Sequence, residues 1–268
     1  MNLTIIGFGK MGETLARGML SANLVSPEAL ILSDIEVERL GGLVHELGVR
    51  VTSDNALAVE ESDVVILAVK PPLITSVARD IASSLKPGAI VLSIAAGITL
   101  RQLAAALNRA DLVLARAMPN TPCLVGAGAI GLSLPVNAPH EAVATISRLL
   151  SAIGIVETVP ESMLDAVTGL SGSGPAYIAV LIEALADGGV LAGLPRPQAE
   201  RLATQTVLGT ARLVMETGQH PAQVKDAVAS PGGTTIAGLA ALEAAGFRNA
   251  LISAVRAAAV RARELSGE

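Results

Sequence analysis

Two short stretches of this 268-residue chain gather residue types that can do chemistry without a metal or a strong acid. The first is Gly7-Phe8-Gly9-Lys10-Met11-Gly12, a G-x-G-x-x-G directly after L-T-I-I and directly before E-T-L-A-R-G-M-L. In that order Gly7 permits a tight turn, Gly9 lets a pyrophosphate approach the backbone, and Gly12 lets helix and strand pack closely. The anion then sits at the helix N-terminus, so the stretch reads as a dinucleotide loop rather than an incidental turn. The second is Ser230-Pro231-Gly232-Gly233-Thr234-Thr235, set between alanine-rich helical stretches. Its glycines can turn successive backbone N–H groups inward, and Thr234 is placed to N-cap a helix starting near Ile236, which suits a small carboxylate. A well-capped helix connection uses the same residues, and local physics leaves both readings open.

Asp34, at the end of the second strand pattern, carries two readings as well. Its carboxylate can accept hydrogen bonds from a ribose 2′-hydroxyl and would repel a 2′-phosphate, which favours NADH over NADPH. Alternatively, S-D-I-E forms a capping box from Ser33 and Glu36. Proton-transfer groups are scarce. No lysine lies between Lys86 and Lys225. His140 and His220, each following or preceding a proline, read as turn or capping residues. Glu183 and Asp187, one helical turn apart, read as a solvated helix face rather than an acid pair. An imine fits this inventory: its nitrogen takes a proton from solvent, and the iminium accepts hydride at carbon with only a hydrogen-bonding hydroxyl and correct placement.

The elements that must position these residues fall into two halves. Up to about residue 160, short β-branched runs at 3–6, 29–32, 64–68, 90–93 and 112–116 alternate with helical segments. That alternation implies a parallel sheet covered on both faces. Runs at 129–134 and 155–159 flank a helix near 141–152 and extend the sheet. Beyond residue 161 the strand signal stops, and 175–192, 198–216, 222–229, 236–245 and 249–265 read as helices. The expected architecture is α/β: an N-terminal Rossmann-type, doubly wound and mainly parallel sheet (1–160), then an all-α C-terminal domain for substrate binding and dimerisation (161–268).

Composition narrows the class. Hydrophobic residues make up 51% and mean hydropathy is +0.58, yet the longest uncharged stretch, 117–139, carries four prolines and does not read as a spanning helix. With no basic leader before an apolar stretch, the chain reads as soluble and cytoplasmic, with no membrane partner. One cysteine, Cys123, and three scattered histidines predict neither a disulfide nor a metal site. A net charge of −5 without a basic cluster argues against nucleic acid.

P-A-Q-V-K-D-A-V-A-S-P-G-G-T-T-I-A-G-L-A-A-L-E (221–243) resembles the signature of the pyrroline-5-carboxylate reductases. Further matches are G-F-G-K-M-G, A-V-K-P (68–71), S-I-A-A-G-I (93–98), M-P-N-T-P (118–122) and G-L-S-G-S-G-P-A-Y (169–177), in the family's order along the whole chain. The resemblance implies NAD(P)H-dependent reduction of 1-pyrroline-5-carboxylate to L-proline, the last step of proline biosynthesis. By that likeness Ser230, Gly232, Gly233 and Thr234 hold the substrate carboxylate, and Thr235 hydrogen-bonds the ring nitrogen as the catalytic residue. Cofactor contacts come from Gly7, Phe8, Gly9, Lys10, Met11 and Gly12, from Ser33 or Asp34, and from Asn55, Ala68, Val69, Lys70, Ala95, Ala96 and Asn120. It also implies a homodimer or larger homo-oligomer through interleaved C-terminal helices, with Pro175 in the first turn of a long helix. Asp34 departs from relatives that accept NADPH. A β-hydroxyacid dehydrogenase of related architecture would need a lysine where the chain has none. A dinucleotide sensor would bind NADH without turnover.

Overall fold

The computed structural model describes residues 1–266, apart from the side chains of 37–40 and 43. Eight strands form one sheet in the order β3-β2-β1-β4-β5-β6-β7-β8. They are β1 (Leu3–Ile6), β2 (Leu30–Ser33), β3 (Arg50–Thr52), β4 (Val64–Leu67), β5 (Ile90–Ser93), β6 (Val113–Met118), β7 (Gly128–Ser133) and β8 (Gly154–Thr158). All neighbours pair in parallel except β6 and β7, which are antiparallel. The expected doubly wound sheet is therefore present, with both late runs added to its edge. β3, three residues long, is too short to leave a period in the sequence.

β1, β2, β4 and β5 are buried along their whole length, as strands covered on both faces must be. Successive side chains alternate between two cores. Leu3, Ile5, Leu30, Leu32 and Ile66 point into one, with Leu15 and Met19 of α1 (Lys10–Ser21). Ile6, Val65, Leu67 and Val91 point into the other. That second core is closed by α4 (Pro71–Ile81) and α5 (Leu100–Leu107), through Ile74, Ala78 and Leu103. The remaining helices of this half are α2 (Val37–Leu47), α3 (Asn55–Val59), α6 (His140–Leu150) and α7 (Leu164–Val167), the last running into a π-helical turn, Thr168–Gly172.

The chain separates into two compact units: Met1–Ser173 with the chain from Ala257 onward, and Gly174–Arg256. Contacts divide the units after Ser173, whereas the boundary expected from the sequence lies near residue 160. Residues 161–173 stay with the sheet because α7 packs on β7, where a Cβ at Gly131 would stand 2.8 Å from Val167 Cγ1. The end of the last helix belongs to the same unit, the Leu265 carbonyl oxygen lying 3.5 Å from where a Gly97 Cβ would be.

The second unit is built from α8 (Gly174–Leu191), α9 (Arg196–Thr217), α10 (Pro221–Ala227), α11 (Thr234–Ala244) and the first half of α12 (Phe247–Ser266). α8 and α9 approach closely because Gly189 faces Ala199, where a Cβ would stand 3.1 Å from the Ala199 Cβ. Its buried hydrophobic cluster is Ala186, Ala199 and Ala203 with Ile182 and Val190 against it, and Val224 is buried apart from them. Meanwhile Val180, Leu191, Leu202, Met215 and Ile252 are all more than half exposed. No residue of α11 is buried, although its sequence is apolar all round. Helices of this kind are covered by something else, a membrane or another chain.

Candidate active site

The candidate cofactor residues converge on the carboxyl ends of β1, β2, β4, β5 and β6. β1 lies between β2 and β4, so the strand order reverses beside it, and the crevice at such a reversal is where open α/β sheets bind ligands. The three glycines do separate work. Gly7 has φ +94°, donates its N–H to Ser33 O at 2.8 Å, and leaves no room for a Cβ against Val69 N, 2.7 Å away. A Cβ on Gly12 would collide with the Gly7 carbonyl oxygen. Gly9 is the N-cap of α1 with no side-chain cap, and nothing stands within 4 Å of the space its Cβ would fill. A pyrophosphate fits there, meeting uncapped N–H groups and the positive end of a twelve-residue helix. Phe8 is buried in the core, Lys10 is exposed, and Met11 packs partly against the core.

Ser33 does not cap a helix. It is the last residue of β2, fully buried, and its hydroxyl donates to Asn55 Oδ1 at 2.7 Å, so the capping box read from S-D-I-E is not formed. The helix that follows has Glu36 at its N-cap with no side-chain cap hydrogen bond. Asp34 takes the turn instead. Its Oδ1 accepts Glu36 N–H at 3.0 Å and its Oδ2 accepts Phe8 N–H at 2.6 Å. A carboxylate has about four lone-pair sites, so these two bonds leave capacity for a hydroxyl.

At β4, Ala68 N–H donates to Ile6 O at 2.8 Å, and Lys70 is the exposed N-cap of α4. At β5, Ala95 N–H donates to Ser93 Oγ at 3.3 Å and Ala96 is exposed. These turns border a cavity of about 400 Å³ lined by Pro71, Ala96, Ile98, Thr168 and Leu265, which the sequence did not disclose. Asn120, after β6, differs from the others, because its amide is engaged in internal hydrogen bonds. A second feature missed in the sequence is buried Arg116, whose Nη1 donates to Glu161 Oε1 at 2.6 Å while the same oxygen accepts Leu100 N–H at 2.7 Å. A lone arginine inside the apolar strand V-L-A-R-A-M was its only signal.

In the helical unit, Ser230–Thr235 folds as a tight turn. Gly233 N–H donates to Ser230 O at 3.0 Å, Gly232 has φ +66°, and a Cβ on Gly233 would collide with Ser230 Oγ. Gly233, extended at φ −79° and ψ 176°, is the N-cap of α11, and no side chain caps it. The expected Thr234 cap and a start near Ile236 are therefore corrected: the helix begins at Thr234 because Gly233 already leaves the turn in the extended conformation. The first-turn N–H groups and the exposed Thr234 and half-buried Thr235 hydroxyls remain at the helix's positive end. His220 caps α10, its Nδ1 accepting Ala222 N–H at 3.2 Å. His140 opens α6. Asp187 is paired with Arg196, and Glu183 is exposed. No cluster of metal-ligating side chains occurs among the described residues.

The sequence matches the family model described as "Pyrroline-5-carboxylate reductase dimerisation" over residues 161–265, and "NADP oxidoreductase coenzyme F420-dependent" over 2–97. A pyrroline-5-carboxylate reductase of Synechocystis sp. is 48% identical over 265 residues, covering 99% of this chain and 98% of the relative. Among solved structures, a pyrroline-5-carboxylate reductase from Coxiella burnetii superposes with a TM-score of 0.94 at 37% identity, covering 98% of each chain. The Plasmodium falciparum pyrroline carboxylate reductase with NADP bound gives 0.86 at 30% identity, covering 99% of this chain and 98% of its own.

Proposed function

The chain belongs to the pyrroline-5-carboxylate reductase family, and on that premise we propose that it reduces 1-pyrroline-5-carboxylate to L-proline with a nicotinamide cofactor, as a soluble cytoplasmic enzyme of proline biosynthesis. Near-full-length identity of 48% to a relative of that name carries the reading. The uncapped Gly9 loop and the Ser230–Thr235 turn give it a physical basis.

A reduced nicotinamide, when bound, supplies the hydride. The chain's own residues do the rest. Gly7–Gly12 hold the pyrophosphate by backbone donors, and the Asp34 carboxylate accepts a ribose hydroxyl. Asp34 is also our reason for assigning a preference for NADH: a 2′-phosphate would stand against a carboxylate already fixed by two backbone N–H groups. Asn55, the 68–70 turn and Ala95–Ala96 complete the dinucleotide's surroundings. Ser230, Gly232, Gly233 and Thr234 hold the substrate carboxylate at the N-terminus of α11. Thr235 hydrogen-bonds the ring nitrogen, which has taken its proton from solvent. Hydride reaches the ring carbon, the C=N double bond becomes a single bond, and the electron pair stays on nitrogen. The proton has come from solvent and both electrons arrive with the hydride, so no protein acid is consumed.

We assign residues 161–268 to substrate binding and dimerisation. The exposed leucines and valines of the helical unit support this, since each contributes about 1.5–3 kcal/mol when covered. By length and composition the stretch Glu161–Leu191 is apolar enough to cross a membrane. The dimerisation match over 161–265 favours a second copy of this chain as its cover. The deciding experiment is a spectrophotometric assay of 1-pyrroline-5-carboxylate and a small panel of cyclic imines with NADH and NADPH. Cofactor binding without oxidation of either would replace the enzyme reading with a dinucleotide sensor.

A further inference from the structure

Asn120 is only 8% exposed, and its side-chain amide is engaged on both sides. Oδ1 accepts the Ala129 N–H at 3.0 Å and the Cys123 thiol at 3.8 Å. Nδ2 donates to the carbonyl oxygen of Ser171 at 3.0 Å. Ser171 lies in the π-helical turn Thr168–Gly172, closed by Ser173 N–H donating to Thr168 O at 2.8 Å. In a continuing α-helix the Ser171 carbonyl would receive the N–H of the residue four positions on. That residue is Pro175, which has none. Asn120 therefore supplies the Ser171 carbonyl with a donor that the α-helical position four residues on cannot provide. The same two segments touch again where a Cβ on Gly172 would stand 2.8 Å from Met118 Cε.

A π-turn persists where something holds its extra residue, and such turns recur at functional sites. This one contributes Thr168 to the wall of the 400 Å³ cavity, facing Ala96 and Ile98. We propose that Asn120 is a positioning residue rather than a cofactor contact: its amide holds the π-turn, and through it the cavity wall, in the geometry that reduction requires. This rests on the reductase reading above. Dinucleotide affinity, which comes from the glycine loop and Asp34, does not depend on it.

The test is Asn120→Asp, which keeps the acceptor for Ala129 and removes the donor to Ser171. NADH affinity is read by cofactor fluorescence and turnover by NADH oxidation, with wild-type enzyme in parallel. The expected result is a kcat lowered by roughly tenfold or more with the NADH dissociation constant within about twofold of wild type. Protonating the introduced carboxyl restores a donor, so the ratio of variant to wild-type kcat should rise as pH falls from about 8 to about 5.5. Asn120→Ala removes the same donor without introducing a carboxyl and should show the same split, which keeps the question open to measurement if the first variant does not fold. Wild-type kcat in both variants overturns the proposal, as does a rise in NADH dissociation constant that matches the loss of kcat/KM. A wild-type enzyme that oxidises no NADH with the imine would overturn the reductase reading instead.

Discussion

The Asp34 carboxylate is bonded to the phosphate loop itself, accepting Phe8 N–H at 2.6 Å, so the acidic residue just after β2 also fixes the first turn of the glycine loop. Charge and loop geometry are therefore coupled at one side chain. Asp34→Asn keeps an acceptor and removes the charge. The ratio of kcat/KM for NADPH to that for NADH should rise by roughly tenfold, measured by steady-state kinetics with each cofactor. An unchanged ratio, or a wild-type enzyme that strongly prefers NADPH, removes Asp34 from cofactor choice.

Thr235 and Ser230 should separate in kinetics. Thr235→Ala is expected to lower kcat/KM by roughly ten- to a thousandfold, the scale for losing a hydrogen bond to a reacting centre. Ser230→Ala should act mainly on the substrate KM, because its contact is the same in ground and transition states. Wild-type kinetics in the first variant, or an unchanged KM in the second, would move the substrate elsewhere.

Gly12→Ala should fail for a steric reason. Its methyl would run into the Gly7 carbonyl, backbone that cannot swing aside as a side chain can. Overpacking of this kind costs about 1–3 kcal/mol and pushes α1 off the sheet. A lowered melting temperature together with lost NADH binding is the expected pair, and a variant that binds NADH normally would contradict the packing seen here.

Val180, on the largely apolar α8, is 65% exposed. If a second copy covers that face, Val180→Glu should shift the protein toward monomer in size-exclusion chromatography with light scattering. A wild-type protein that is itself monomeric at micromolar concentration would refute the covering.

Cys123 titrates in a stated direction. Burial raises its thiol pKa above the ordinary value, opposed in part by the hydrogen bond at Asn120 and by its own backbone. A raised folded pKa means that the thiol's contribution to stability is complete below the unfolded value, about 8.5, and is lost as pH rises through the folded one. Denaturation of wild type and Cys123→Ala should therefore differ more near neutral pH than in alkaline buffer. A gap that widens with pH would reverse the assignment.

Much of the fold was legible because its signals are local. Buried parallel strands leave β-branched runs, and the glycine loop must follow a strand and precede a helix, so the sheet and its phosphate loop could be read directly. What the sequence left undecided was where a side chain spends its hydrogen bonds. Ser33 could cap a helix or end a strand, and only its burial in the sheet, with Asn55 at the start of α3 accepting its hydroxyl, made it the latter. Thr234 could cap α11, and the extended backbone of Gly233 took that place. The family resemblance makes Asn120 a cofactor contact, and the fold engages its amide in internal hydrogen bonds. The Ser171 carbonyl that its amide meets is distant in sequence, in a turn whose α-helical donor position falls on Pro175. Residue type and spacing determined which chemistry is possible along this chain, whereas long-range packing decided which atoms are still available to perform it.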